Sequence, residues 1–145
     1  MRSCEVRAPL VLFVCRHGAA KSVLAAAELD RIARAAGVVI GVRAAGIEPD
    51  ATVAPAVIAA LPKEARTNLP PPRRVTADDV ARAWRIVTFD LDPSELPAQP
   101  GACERWDGLP SASADAGCFL AALAPWAEAL VRPFAAAAAT TRRVE

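Results

Sequence analysis

Residues Cys15-Arg16-His17-Gly18-Ala19-Ala20-Lys21-Ser22 put a thiol, an imidazole, two cations and a hydroxyl into one short segment. The apolar run Leu10-Val11-Leu12-Phe13-Val14 precedes it, and a helical pattern from Val23 to Ala36 follows. A cysteine ending a buried strand, small residues, then Lys-Ser opening a helix is the layout of a cradle for a tetrahedral oxyanion. Free backbone N–H groups of such a turn and the positive end of the helix dipole both favour an anion. A thiol in the same field ionises more readily and becomes a stronger nucleophile. A nucleophile and an anion site within one turn point to group transfer from an oxyanion.

The elements that must position this turn can be read from the alternation of short β-like runs with helical patterns. That alternation predicts βαβ units and a mostly parallel sheet. Strands are expected at Leu10–Val14, Val38–Ala44, Trp84–Phe89 and Cys103–Trp106. The first helix should run from Ser22 to Ala36, with Ala25, Leu29, Ile32, Ala33 and Ala36 on one face and Gly37 as its stop. Thr52 is expected to cap a short helix to Leu61, which Pro62 ends. Lys63–Arg74, containing Pro70-Pro71-Pro72, reads as an extended surface loop. Thr76 and Asp79 have the spacing of a helix N-terminus. After a proline-bearing loop from Asp92 to Gly101, an Ala-rich helix is expected from Asp115 to Ala135, kinked at Pro125, with a frayed end from Thr140 to Glu145.

Composition narrows the class. The 145 residues, 54% of them hydrophobic, suffice for one well-formed core, so one domain over residues 1–145 is expected. A formal charge of +1 carries no footprint for nucleic acid or an anionic membrane. The longest apolar run, Ala8 to Cys15, falls far short of the roughly 18 residues a bilayer span needs. Met1 to Arg7 carries charge without a following signal-peptide core. Cysteines at positions 4, 15, 103 and 118 form no close pair, and there is one histidine, so neither a metal nor another cofactor is expected. The expectation is a soluble cytoplasmic protein.

A strand, Cys-x5-basic-Ser and a helix near the start of a chain of this size resemble the low-molecular-weight protein tyrosine phosphatase family, whose fold the thioredoxin-linked arsenate reductases share. Ala44-Ala45-Gly46 looks like the small-small-Gly end of that family's second strand, and Ile86-Val87-Thr88-Phe89-Asp90 like its later central strand. The resemblance implies a three-layer α/β sandwich, a four-stranded mostly parallel sheet flanked by helices. Departures are as informative. Lys21 stands where the family has arginine, so a compact point charge replaces a planar fork. Gly18 replaces a left-handed asparagine, which glycine does without steric cost. Ala20 replaces a second loop cysteine, and the chain has no tyrosine, leaving any aromatic wall to Trp or Phe.

By this resemblance Cys15 attacks phosphorus, Lys21 clamps the bound oxygens and Ser22 donates to the thiolate. Arg16, His17, Gly18, Ala19 and Ala20 complete the oxyanion site. The general acid is expected at Asp107, with Asp115 second, although no Asp-Pro falls between Trp106 and Asp115. Each has a plainer reading: a buried strand-end thiol for Cys15, a helix cap for Ser22, a solvated charge for Lys21, a surface-turn histidine for His17 and a helix start for Asp115. Three functions follow from the resemblance. One is phosphomonoester hydrolysis on a phosphorylated protein or small ester. Arsenate reduction by the same cysteine is another, although Asp90 stands where the thioredoxin-linked branch has a relay cysteine, leaving Cys103 as the thiol that could resolve an oxidised Cys15. The last is oxyanion binding without catalysis.

Overall fold

The computed structural model describes residues 8–144, with side chains described over residues 8–135; Met1 to Arg7, including Cys4, lie outside the described residues. In chain order the elements are β1 (Leu10–Cys15), α1 (Lys21–Ala35), β2 (Gly41–Gly46), α2 (Pro55–Ala60), α3 (Lys63–Thr67), α4 (Ala77–Arg82), β3 (Arg85–Phe89), β4 (Cys103–Trp106) and α5 (Ala116–Val144). A single 3-10 turn, Pro93–Glu95, lies between β3 and β4. The four strands form one sheet in the order β2-β1-β3-β4, and every pairing is parallel.

Alternation along β1 assigns the two faces. Val11, Phe13 and Cys15 join one cluster with Leu24 and Leu29 of α1 and Phe119 and Leu123 of α5. Leu12 and Val14 point the other way, into a cluster with Val80 of α4, Ile86, Leu91 and Leu96. Both faces of the central strands are therefore covered, as a parallel sheet requires, and the three-layer α/β sandwich follows. Phe13, Phe89, Trp106 and Phe119 lock the first face, with ring centroids 5.9–6.1 Å apart.

Several boundaries differ from expectation. β2 begins at Gly41, not Val38, because β1 begins at Leu10 and the first bond across is Gly41 N–H to the Pro9 carbonyl at 2.8 Å. Val38 and Ile40 are buried while leaving the helix, before any strand pairing. Gly37 does stop α1, in the left-handed region at φ +71°, with the Val38 N–H closing on the Ala33 carbonyl. Thr52 caps nothing; Ala54 precedes α2, and Pro55 takes the first turn. Lys63–Thr67 is a helical turn, with the Ala65 and Arg66 N–H groups both donating to the Pro62 carbonyl. The last helix runs to Val144, through Pro125, Pro133 and the segment expected to fray. By length and composition its stretch Ala116–Ala135, mean hydropathy 1.2, could cross a membrane. Here its Phe119, Leu123, Ala127, Leu130 and Val131 are buried against the first cluster.

Thr76 and Asp79 form a reciprocal capping box at the start of α4. Asp79, almost fully buried, also accepts from Arg73 at 2.6 Å and Arg43 at 3.3 Å, tying β2 and the segment after α3 to α4. Burial alone would raise its carboxyl, but Arg73 and the Thr76 N–H and hydroxyl outweigh it and hold it at about 2. The unfolded value is about 3.9, so the carboxylate stabilises the fold above about pH 4 and loses that contribution as the pH falls towards 2. Asp79→Asn is expected to destabilise the protein at pH 7 and to flatten the loss of stability between pH 4 and 2 in urea titrations. An unchanged acid limb would show that the two arginines do not hold the fold.

Candidate active site

β1 delivers Cys15 to the C-terminal edge of the sheet, where ligands gather in open parallel sheets. Its thiol is hydrogen-bonded to the hydroxyl of Ser22, in the first turn of α1, at 3.1 Å, and Ser22 is fully buried. Between them the chain turns through Gly18, at φ +60°. The turn rests on β2: a Cβ at Gly18 would stand 2.8 Å from the Gly46 nitrogen, and one at Gly46 would stand 2.6 Å from the Gly18 nitrogen. The two backbones touch directly. The turn is pinned further by the Ile47, Glu48 and Asp50 N–H groups, which donate to the Cys15, Arg16 and His17 carbonyls, and by the Ala54 N–H donating to the Ala19 carbonyl.

With its carbonyls engaged from outside, the turn is left with free donors. The backbone N–H groups of His17 to Val23 donate to no protein acceptor among the described residues, and Ala20, which precedes α1, supplies no side-chain cap. Orphan donors at a helix start are satisfied by water or by a bound anion. Four of the residues that carry them, His17, Ala19, Ala20 and Lys21, line a pocket of about 350 Å³ together with Cys15, Arg16, Asp50, Phe89, Asp90, Ser111 and Ser113, among others. Phe89 is its one aromatic side chain; Trp106 is buried in the core instead. A larger cavity of about 600 Å³ shares Gly18 with the cradle, but its ionisable lining is Asp30, Arg43 and Arg73, with no nucleophile.

The cations of the turn are all engaged. Lys21 Nζ lies 2.6 Å from Asp90 Oδ2 and 3.4 Å from the Leu109 carbonyl. Asp90 itself sits at φ +51° and takes the Gly108 N–H on its other oxygen at 3.0 Å. Burial would raise the Asp90 carboxyl; the Lys21 and Gly108 hydrogen bonds and the charges of Lys21 and Arg105 outweigh that and hold it low. Arg16 donates to both oxygens of Glu95 at 2.9 and 3.0 Å. His17 Nδ1 lies 3.2 Å from the Glu48 carbonyl and 3.4 Å from Asp50 Oδ1.

The expected acids are not in the pocket. Asp107 is held by Arg105 Nε at 2.8 Å and forms no part of the lining. Asp115 takes its plainer reading: it caps α5, accepting the Cys118 N–H at 3.0 Å, which together with the Gly117 N–H lowers its carboxyl. The carboxylates that do line the pocket are Asp50 and Asp90. Asp90 had a readable signal. It follows β3, whose Thr88 is in register with Val14, so it must emerge beside the Cys15 turn.

The fold can be set beside solved structures. The thioredoxin-dependent arsenate reductase of Corynebacterium glutamicum superposes with a TM-score of 0.64 over 91% of this chain and 64% of that one, at 22% identity. An arsenate reductase from Archaeoglobus fulgidus superposes with a TM-score of 0.58 over 86% of this chain and 98% of its own, at 28% identity. The chain has the fold of the low-molecular-weight phosphatase and arsenate reductase family. A YwlE mutant from Bacillus subtilis matches over 56% of each chain, with a TM-score of 0.50 and 22% identity. The chain thus spans under two thirds of the Corynebacterium and Bacillus proteins and nearly all of the Archaeoglobus one. No family model and no curated protein matches the sequence. Within this fold, the Cys15–Ser22 turn joins the end of β1 to the start of α1.

Proposed function

We propose that this chain hydrolyses phosphomonoesters, protein phosphotyrosine foremost, through a cysteinyl-phosphate on Cys15. The observation that carries the reading is the Cys15 thiol bonded to the buried Ser22 hydroxyl, at the start of a turn whose N–H groups from His17 to Val23 have no protein acceptor among the described residues. In the first step the thiolate attacks phosphorus in line; the S–P bond forms as the ester P–O bond breaks. Water then attacks the same phosphorus, releasing phosphate and the thiolate. The N–H groups stabilise the equatorial oxygens in both steps, and the Ser22 hydroxyl donates to the sulfur as it leaves. A soluble cytoplasmic protein of one domain, with a phosphorylated protein or small ester as substrate, fits this reading.

Arsenate reduction is favoured by what two of the similar structures are. The other described thiols fit it poorly. Cys103 packs with the cluster on the opposite face of the sheet from Cys15. Its thiol is raised by burial and by Glu104, and the Cys118 thiol is raised by its hydrogen bond to Asp115. Arsenate turnover here would draw on an external thiol. Hydrolysis of p-nitrophenyl phosphate, beside reduction of arsenate with a small thiol, separates the two. Turnover of the ester supports the first reading, and arsenate turnover alone replaces it.

The third reading, binding without turnover, is favoured by the Lys21–Asp90 pair, which spends the clamp's charge on a protein carboxylate. Asp90→Asn keeps the shape and the tolerance of a left-handed backbone while releasing Lys21 towards the bound anion. Charge-assisted hydrogen bonds contribute about 1.5–3 kcal/mol when fully formed. Lys21 is partly exposed, so vanadate is expected to bind about five- to tenfold more tightly to Asp90→Asn. Unchanged affinity would mean that Lys21 does not face the anion.

A further inference from the structure

We propose that His17 carries the proton in this site, through its Nε2 atom, in place of a carboxylic acid; the proposal rests on the cysteinyl-phosphate reading above. The other candidate proton carriers are already committed. Asp107 is paired with Arg105 outside it, and Asp115 caps α5. Asp90 accepts from Lys21 and Gly108 at once. Asp50 lines the pocket, but its Oδ1 faces the ring of His17.

His17 meets what a proton carrier needs. It is the chain's one histidine, two residues from Cys15, and lines the same pocket. Its backbone is fixed by the Asp50 N–H on its carbonyl at 3.0 Å. Both neighbours of Nδ1, the Glu48 carbonyl and the Asp50 carboxylate, are acceptors. A carbonyl can only accept, so Nδ1 carries the hydrogen and Nε2 is the exchanging atom. Asp50 is a positioning residue, with its Oδ1 3.4 Å from Nδ1. The other charges around the ring are Arg16, bound to Glu95 with Glu48 3.9 Å away, and Lys21, paired with Asp90.

The proton balance closes. In the first step the Nε2–H of the imidazolium passes to the leaving ester oxygen as the P–O bond breaks and S–P forms. In the second, neutral Nε2 takes a proton from the attacking water as the S–P bond breaks, which restores the imidazolium and the thiolate.

The test compares phenyl phosphate, whose leaving group needs a proton, with 2,4-dinitrophenyl phosphate, whose leaving group does not. His17→Asn keeps an amide donor for the Glu48 carbonyl and removes Nε2. His17 is more than half exposed, so the fold is expected to survive, as far-UV circular dichroism would show. Phenyl phosphate kcat/KM should fall about a hundredfold or more, the usual range for a general acid. Dinitrophenyl phosphate should lose less than about fivefold, and the alkaline limb of the phenyl phosphate profile should flatten. Asp50→Asn should lower kcat/KM on phenyl phosphate more than on 2,4-dinitrophenyl phosphate. Equal losses on the two esters, or no loss on either, would overturn the role of His17 while leaving the phosphatase reading in place. If the wild-type protein turned over neither ester in a Cys15-dependent manner, both would fall.

Discussion

Replacing Cys15 by serine is expected to abolish turnover of p-nitrophenyl phosphate, by about a thousandfold or more, while phosphate and vanadate still bind. The first half follows from chemistry: an unactivated hydroxyl does not attack where a thiolate does, and loss of a nucleophile costs several orders of magnitude in rate. The second half follows from geometry. On the proposed reading the groups that hold the anion are backbone N–H donors from His17 to Val23, in a turn kept in place by donors from the loop after β2 rather than by the thiol. Ser22 remains as a hydrogen-bond partner for the new hydroxyl. Steady-state kinetics beside titration calorimetry with vanadate separates the two halves. Binding lost together with turnover would contradict a backbone cradle.

The second large effect is expected at a residue with no side chain. Gly46→Ala should lower the melting temperature by about 5–10 °C and weaken vanadate binding at the same time. Its new Cβ would sit 2.6 Å from the Gly18 nitrogen, 2.8 Å from the His17 carbonyl carbon and 2.9 Å from the Gly18 Cα. All three are backbone atoms, so no side chain can swing aside. Overpacking of this kind costs about 1–3 kcal/mol, and each kcal/mol moves the melting point of a chain this size by a few degrees. The displaced partner is the cradle itself, and this ties stability to anion affinity. Gly101→Ala is the control, because a Cβ there meets nothing within 4 Å; it should change stability by less than about 0.5 kcal/mol. Equal melting points for the two variants would mean that β2 does not buttress the cradle.

The sheet was legible because its signal is local. The apolar runs at β1 and β3 read as strands, and Gly37 and the Thr76–Asp79 box mark helix ends through their own backbone chemistry. Local signals also misled. Thr52 looks like a cap, but the Ala54 N–H is tied to Ala19, and this tertiary bond sets where α2 begins. The segment 38–40 has strand-like alternation and no partner strand to pair with. The left-handed conformation of Gly18 was expected from the resemblance, which has a left-handed asparagine there, whereas the pairing of Lys21 with Asp90 had no such signal. That contact joins residues 69 positions apart, and only the β1–β3 register brings them together. The acid was sought by position in a late loop; where Asp107 lies depends on Arg105, two residues before it, which claims its carboxylate.

The central claim is a covalent phosphoryl group on Cys15, and acid-quenched protein caught during turnover of an aryl phosphate tests it most directly. Intact mass and peptide mapping by mass spectrometry should find one added phosphoryl group, located on the peptide that contains Cys15 and absent from Cys15→Ser. Turnover without such an adduct, or an adduct on another residue, would contradict the account.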